Sequence, residues 1–155
     1  MSTFHYFSYN TVAMYNLYEI HGILQFIAFV ILFPLGILVA VFRNWIGSMW
    51  FVIHVGLHSA AILTLIAALL CVGLASYNKN KNKEKDKKET RDTPLHVILG
   101  YIVVGLVFFQ IVWAVGLREV VPFPTWLLVH GILAISILVT GWINLYLGYM
   151  LLVPS

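Results

Sequence analysis

Four long apolar stretches, separated by polar segments, dominate the hydropathy pattern of the chain. They run over about Ile20–Phe42, Met49–Ala75, Leu95–Leu117 and Trp126–Val153. A helix needs about 20 apolar residues to cross the hydrocarbon core of a bilayer, and each stretch is long enough. The pattern therefore predicts an all-α integral membrane protein with four spans. Because short loops make successive helices antiparallel neighbours, we expect these spans to form a four-helix bundle.

The three connections between the predicted spans differ in character. The first (NWIGS) and the third (REVVPFP) are short, and the two prolines of the third forbid a continuous helix. The middle connection (NKNKNKEKDKKETRD) holds seven of the nine lysines and arginines, which predicts a solvated linker over 78–93. We therefore expect an extramembrane or interfacial segment at 1–18 and a four-span core at 19–153 that includes the linker. No internal repeat is visible beyond the number of helices.

Composition places the chain in the lipid bilayer. Hydrophobic residues make up 61% of the sequence and charged residues only 10%, which excludes an ordinary soluble domain. No nucleic-acid partner is expected. The single cysteine, Cys71, excludes an intramolecular disulfide and a CxxCH haem attachment. Four spans put both termini and the 78–93 linker on one side, and the positive-inside rule assigns that side to the cytosol.

Five of the six histidines fall within the predicted spans, and four of these five lie at two distinct depths. His21 and His96 open the first and third spans, near the side of the termini. His54 and His130 lie about five residues into the second and fourth spans, near the opposite side. At 1.5 Å per residue the two levels are about 20 Å apart. In a four-helix bundle each level then holds one diagonal pair of imidazoles, which are costly in hydrocarbon unless something binds them.

A flat group between diagonal helices would take one imidazole from each side, and haem iron accepts two axial imidazoles. A bare zinc or copper ion instead needs three or four ligands converging on one level. Two other functions stay open: a proton-coupled transporter or channel with a histidine relay, and a haem-free subunit whose histidines join helices. Glycines beside the histidines favour either close approach of a porphyrin or helix packing. They are Gly22, Gly56, Gly100 and Gly131.

Each predicted span carries a recognisable motif. The four motifs read HGILQFIAFVILFPLGILVAVFR, WFVIHVGLH, TPLHVILGYIVVGLVFFQ and WLLVHGILAISILVTGWINLYLG. The first contains His-Gly, a Pro-x-Gly at Pro34–Gly36 and a final Arg43; Pro34 should also kink the span. In their order and spacing the motifs resemble the cytochrome b561 family. The resemblance is closest to the branch attached to DOMON domains, although this sequence contains no DOMON domain.

The resemblance implies a pair of non-covalent b-type haems with bis-histidine ligation. His21 and His96 would bind the iron of one haem, and His54 and His130 the iron of the other. The family passes electrons across membranes, with ascorbate as the usual donor and monodehydroascorbate or ferric iron as the usual acceptor. The expected function is therefore transmembrane electron transfer by an ascorbate-dependent oxidoreductase or electron carrier. Such a bundle is also able to form a homodimer.

Three further residues are candidates for contact with the haems. His58 lies one helical turn deeper than His54 and should share its face, which suggests that it packs beside the haem. Arg43 and Arg118 lie at the ends of the first and third spans, where they pair with haem propionates or an anionic reductant, or serve as interfacial anchors. The resemblance also implies an orientation opposite to that given by the positive-inside rule.

Overall fold

Four long helices make up nearly all of the described part of the chain. The computed structural model describes residues 16–83 and 94–152. Within these ranges the chain contains no strand. The helices are α1 (Asn16–Val41), α2 (Trp50–Lys83), α3 (Leu95–Gly116) and α4 (Phe123–Leu152). Each is long and apolar enough to cross a membrane, so the predicted all-α chain with four spans is confirmed.

Three of the helices are longer than the predicted spans: α1 begins at Asn16, inside the predicted N-terminal segment, and α4 begins at Phe123. Helix α2 continues through Lys83 and so includes the first residues of the 78–93 segment for which the sequence predicts a solvated linker. Residues 84–93, and residues 1–15 of the predicted N-terminal segment, lie outside the described residues. A short helical turn (Arg43–Ile46) and a 3₁₀ turn (Gly47–Met49) join α1 to α2. Gly47 has a φ of 77°, which a residue with a side chain rarely adopts.

A π-helical turn interrupts α1 at Ile27–Leu32, directly before Pro34. Because proline has no N–H and its ring clashes with the carbonyl four residues earlier, a regular α-helix cannot pass through this point undisturbed. The wider turn relieves the conflict, and Phe33 donates its N–H to the carbonyl of Ala28. The irregularity that the sequence predicts at Pro34 thus takes the form of a π turn. Helix α3 ends in a second π turn, at Val112–Gly116.

The helices form two hairpins, which are separate compact units: α1 with α2, and α3 with α4. Small side chains line the first hairpin, where Ala28, Ala61 and Ala68 are fully buried and allow close approach of the two helices. Larger side chains such as Val103 and Ile137 are buried in the second hairpin. Most other large apolar side chains are exposed, as lipid contact requires.

Candidate functional site

Three of the four paired histidines use the same contact with the neighbouring helix of their hairpin. In each, ring atom Nδ1 lies within hydrogen-bond distance of a main-chain carbonyl oxygen. The bonds join His21 to Ala68 at 2.9 Å, His54 to Gly36 at 2.8 Å and His96 to Asn144 at 3.0 Å. A carbonyl only accepts, so Nδ1 must carry the proton. The lone pair of the neutral ring is then on Nε2, as in most metal-binding histidines.

His130 has a different partner at Nδ1. The side-chain amide of Gln110 donates through Nε2 to Nδ1 of His130 at 3.0 Å and to the His130 carbonyl at 3.1 Å. Oε1 of Gln110 is buried and has no hydrogen-bond partner among the described residues. With Nδ1 accepting, the proton of a neutral His130 ring lies on Nε2, which is the opposite tautomer to that of the other three.

The two hairpins share one hydrogen-bonding scheme. In each, the histidine near the start of the first helix bonds to a carbonyl in the second half of the second helix, at Ala68 or Asn144. Each of these carbonyls lies fourteen residues beyond the second histidine, His54 or His130. Fourteen residues of α-helix rise about 21 Å. The two histidines of each hairpin therefore lie at two levels, about 21 Å apart along the helices.

The first helices of the two hairpins differ by one position in the spacing between their histidine and the residue that contacts the second histidine. From His21 to Gly36 is fifteen positions, whereas from His96 to Gln110 is fourteen. The π turn of α1 lies inside the first interval, and a π turn accommodates one extra residue within a helix. The π turn of α3 begins after Gln110 and leaves the second interval regular. Gly36 and Gln110 thus occupy corresponding positions, although no repeat is visible in the sequence.

Gly36 serves two histidines of the first hairpin. Its carbonyl accepts from His54, and its bare Cα faces the ring of His58, where a Cβ would lie 2.7 Å from Nε2. The His58 ring meets the His54 ring edge-on, with centroids 4.5 Å apart, and lies 5.6 Å from the ring of Phe33. His58 therefore packs directly beside His54, on the face where the sequence predicts it.

Five other glycines differ in the room that they leave for a Cβ. At Gly148 a Cβ would lie 2.8 Å from Cε1 of His96, so this glycine makes room for the imidazole. At Gly100 a Cβ would make an ordinary contact with Asn144. A Cβ would meet nothing within 4 Å at three of the glycines beside the histidines: Gly22, Gly56 and Gly131. Packing inside a hairpin therefore does not explain these three glycines.

An indole stacks on His130. The indole of Trp126 stacks on its imidazole, with 9° between the planes and 4.9 Å between the centroids. Trp126 and Trp113 each donate an indole N–H to the other's carbonyl, at 2.9 and 3.1 Å. Arg118, which is exposed, places its guanidinium carbon 5.9 Å from the Trp126 ring centroid. Arg43 is also exposed, in the short turn after α1.

The sequence did not predict the contacts that orient the histidines. Any residue supplies a main-chain carbonyl, so Ala68 and Asn144 carry no signal of that role. Gln110 and Trp126 are visible only as a polar residue in a span and an aromatic near a span end. Their spacing from His96 and His130 is the signal that could have identified them. Among the described residues, no three His, Cys, Asp or Glu side chains cluster as they would around a bare metal ion.

Comparison with known proteins assigns this arrangement to a family. The family model described as eukaryotic cytochrome b561 matches residues 20–153, which include α1 from Ile20 onwards, the other three helices and every histidine discussed above. No curated protein and no solved structure matches the chain. The chain therefore belongs to the eukaryotic cytochrome b561 family, whose members are helical membrane proteins that bind b-type haem and transfer electrons across the bilayer.

Proposed function

We propose that this chain transfers electrons across the membrane through two non-covalent b-type haems, each held by a pair of histidines. His21 and His96 hold one haem, and His54 and His130 hold the other. The observation that carries the proposal is the hydrogen bond from Nδ1 of three of these histidines to a main-chain carbonyl. That bond fixes the ring and leaves the lone pair on Nε2, as ligation of iron requires.

When bound, haem supplies a reversible one-electron carrier near each side of the membrane. With both members of each histidine pair bound to it, a haem iron would transfer electrons and would have no position left for oxygen or substrate. The chain's own task is to hold the rings at two depths, which it does with one histidine at each level of each hairpin. The open surfaces at Gly22, Gly56 and Gly131 suit the approach of a porphyrin face.

Proton relay is the rival function, and the same hydrogen bonds weigh against it. A relay histidine must exchange protons at both ring nitrogens and reorient between transfers. Donation of Nδ1–H to a carbonyl of a packed helix holds one tautomer and one ring orientation in His21, His54 and His96. Membership of a haem-binding electron-transfer family points the same way.

Ascorbate is the proposed donor. It loses one electron and one proton to become monodehydroascorbate. The acceptor on the other side is monodehydroascorbate or ferric iron, which becomes ferrous. Arg118 and Arg43 are the cations available near one end of the hairpins to pair with a haem propionate or an anionic reductant. The guanidinium of Arg118 lies over the indole of Trp126, which stacks on His130. We also propose that the termini and the 78–93 segment face the cytosol.

Absorption spectroscopy of the purified protein tests the haem proposal. Protein from haem-replete cells should show a reduced b-type spectrum with about two haems per chain. Alanine at His21, His54, His96 or His130 should remove one haem each, whereas Cys71→Ser should retain both. A haem-free wild-type protein would overturn the proposal.

Liposomes test the donor and the direction separately. With ferricyanide trapped inside, external ascorbate should reduce it through the wild-type protein and not through His54→Ala. If dithionite reduces the haems and ascorbate does not, the donor is wrong and the haem assignment stands.

A further inference from the structure

The side-chain amide of Gln110 is hydrogen-bonded through its nitrogen and, within the described ranges, unpaired at its oxygen. Its Nε2 donates both to Nδ1 and to the carbonyl of His130, while Oε1 is buried without a partner among the described residues. An unpaired buried acceptor is costly because it has lost its water and gained no donor. The amide of Gln110 therefore donates to His130 through Nε2, while its acceptor, Oε1, is unused in the described part of the chain.

Ligation of iron reverses the requirement at Nδ1 of His130. Iron binds the lone pair of Nε2, so a neutral ring must then carry its proton on Nδ1. With the amide as it stands, two N–H groups would face each other across 3.0 Å. A half-turn of the amide brings Oε1 to Nδ1–H instead, and the unpaired acceptor gains its donor. The same half-turn breaks the bond from Nε2 to the His130 carbonyl and moves the amide N–H groups to the buried position that Oε1 held. The bond gained at Nδ1 therefore replaces the bond lost at that carbonyl.

The corresponding position of the first hairpin shows what is special about Gln110. There the partner of His54 is the main-chain carbonyl of Gly36, which is part of a helix and cannot turn. His21 and His96 are likewise held by main-chain carbonyls. His130 is held by a side-chain amide, whose donor and acceptor can exchange places.

We infer that Gln110 is a positioning residue that sets the reduction potential at His130 by accepting its Nδ1–H through Oε1. The inference rests on the proposed function. An acceptor at Nδ1 increases the electron density at Nε2, which stabilises ferric over ferrous iron and lowers the potential. The His130 site then has an adjustable potential, whereas main-chain carbonyls fix the other three histidines.

Redox titration of the haem-loaded protein, followed by absorbance, tests the inference with two variants. Gln110→Leu removes the acceptor and should raise the midpoint potential of one haem, leave the other unchanged, and weaken retention of the affected haem about tenfold. Gln110→Glu supplies only acceptor oxygens and should restore retention, with a potential at or below the wild-type value. Ser136→Ala is the control, because the Ser136 hydroxyl donates to the Ile132 carbonyl of its own helix rather than to a histidine, and both potentials should stay unchanged.

Three results would overturn the role of Gln110 while leaving the haems in place. The first is an unchanged pair of potentials in Gln110→Leu with full haem retention. The second is loss of haem from Gln110→Glu as great as from Gln110→Leu, which would mean that the residue acts by shape alone. The third is an equal shift in Ser136→Ala, which would mean that loss of any polar side chain in this hairpin has this effect. A haem-free wild-type protein would instead refute the proposed function itself.

Discussion

His54 and His130 occupy corresponding places in the two hairpins and are held in different ways. Each lies fourteen residues before the carbonyl that orients the other histidine of its hairpin. The Nδ1 of His54 meets the carbonyl of Gly36 in the opposite helix. The Nδ1 of His130 instead meets the side-chain amide of Gln110. One scheme is thus completed by the backbone in the first hairpin and by a side chain in the second.

The ring neighbours differ as well. His54 meets the edge of His58, whereas His130 stacks face to face with Trp126. We therefore expect the two sites to be sensitive to opposite kinds of substitution. In the first hairpin the carbonyl of Gly36 is retained whatever residue replaces it. That site should therefore be disturbed by added side-chain atoms, for which the glycine leaves no room. A site built from an amide and an indole is sensitive to lost atoms.

The largest expected effect separates the two histidines of the first hairpin. His54→Ala removes a proposed iron ligand and should lower the haem content from about two to about one per chain. His58→Ala leaves the His54–Gly36 bond in place and should retain both haems, with a shifted potential for one. Pyridine haemochrome analysis of the purified variants measures both. If His58→Ala loses the haem and His54→Ala keeps it, the ligand assignment is reversed.

Adding one methyl group is the next test, and it addresses the bare backbone of the first hairpin. In Gly36→Ala the new Cβ would lie 2.7 Å from Nε2 of His58, so the ring must move against Phe33 and His54. Overpacking of this kind typically costs about 1–3 kcal/mol. We expect a lower thermal midpoint and weaker haem retention.

Gly73→Ala is the matched control for that substitution. Its new Cβ meets nothing within 4 Å, and replacing a helical glycine by alanine should stabilise the helix by about 0.5–1 kcal/mol. Equal thermal midpoints in Gly36→Ala and Gly73→Ala would show that the His58 ring can move aside without cost. The contact with His58 would then not require a glycine at position 36.

The membrane itself explains how much of the fold could be predicted from the sequence. A bilayer fixes the length and composition of a spanning helix, so the four helices and the two histidine depths follow from apolar runs and a rise per residue. The apolar stretch of α2 ends before the helix does, because the lysines and asparagines up to Lys83 are still helical. Hydropathy reports where a helix enters lipid and not where it ends.

The orientation of the imidazoles lies beyond the reach of pattern alone. Main-chain carbonyls at Gly36, Ala68 and Asn144 hold three of the rings, and a carbonyl has no residue signature. The sequence also does not reveal that the two hairpins are alike. Gly36 and Gln110 occupy corresponding positions, but one contributes a main-chain carbonyl and the other a side-chain amide. The π turn shifts the spacing by one residue and removes the remaining trace of the repeat.

The smallest expected effect tests the side-chain support of His130. Trp126→Phe keeps a ring over the imidazole and removes the indole N–H that bonds to the carbonyl of Trp113 at 2.9 Å. One such bond contributes about 0.5–1.5 kcal/mol, so the thermal midpoint should fall slightly while both haems stay bound. Trp45→Phe is the control, because the Trp45 side chain is 90% exposed and its loss should leave the midpoint unchanged. A fall in Trp45→Phe as large as that in Trp126→Phe would mean that loss of any interfacial indole explains the result. Loss of haem from Trp126→Phe would mean that the indole itself, and not stacking alone, holds His130 in its binding orientation.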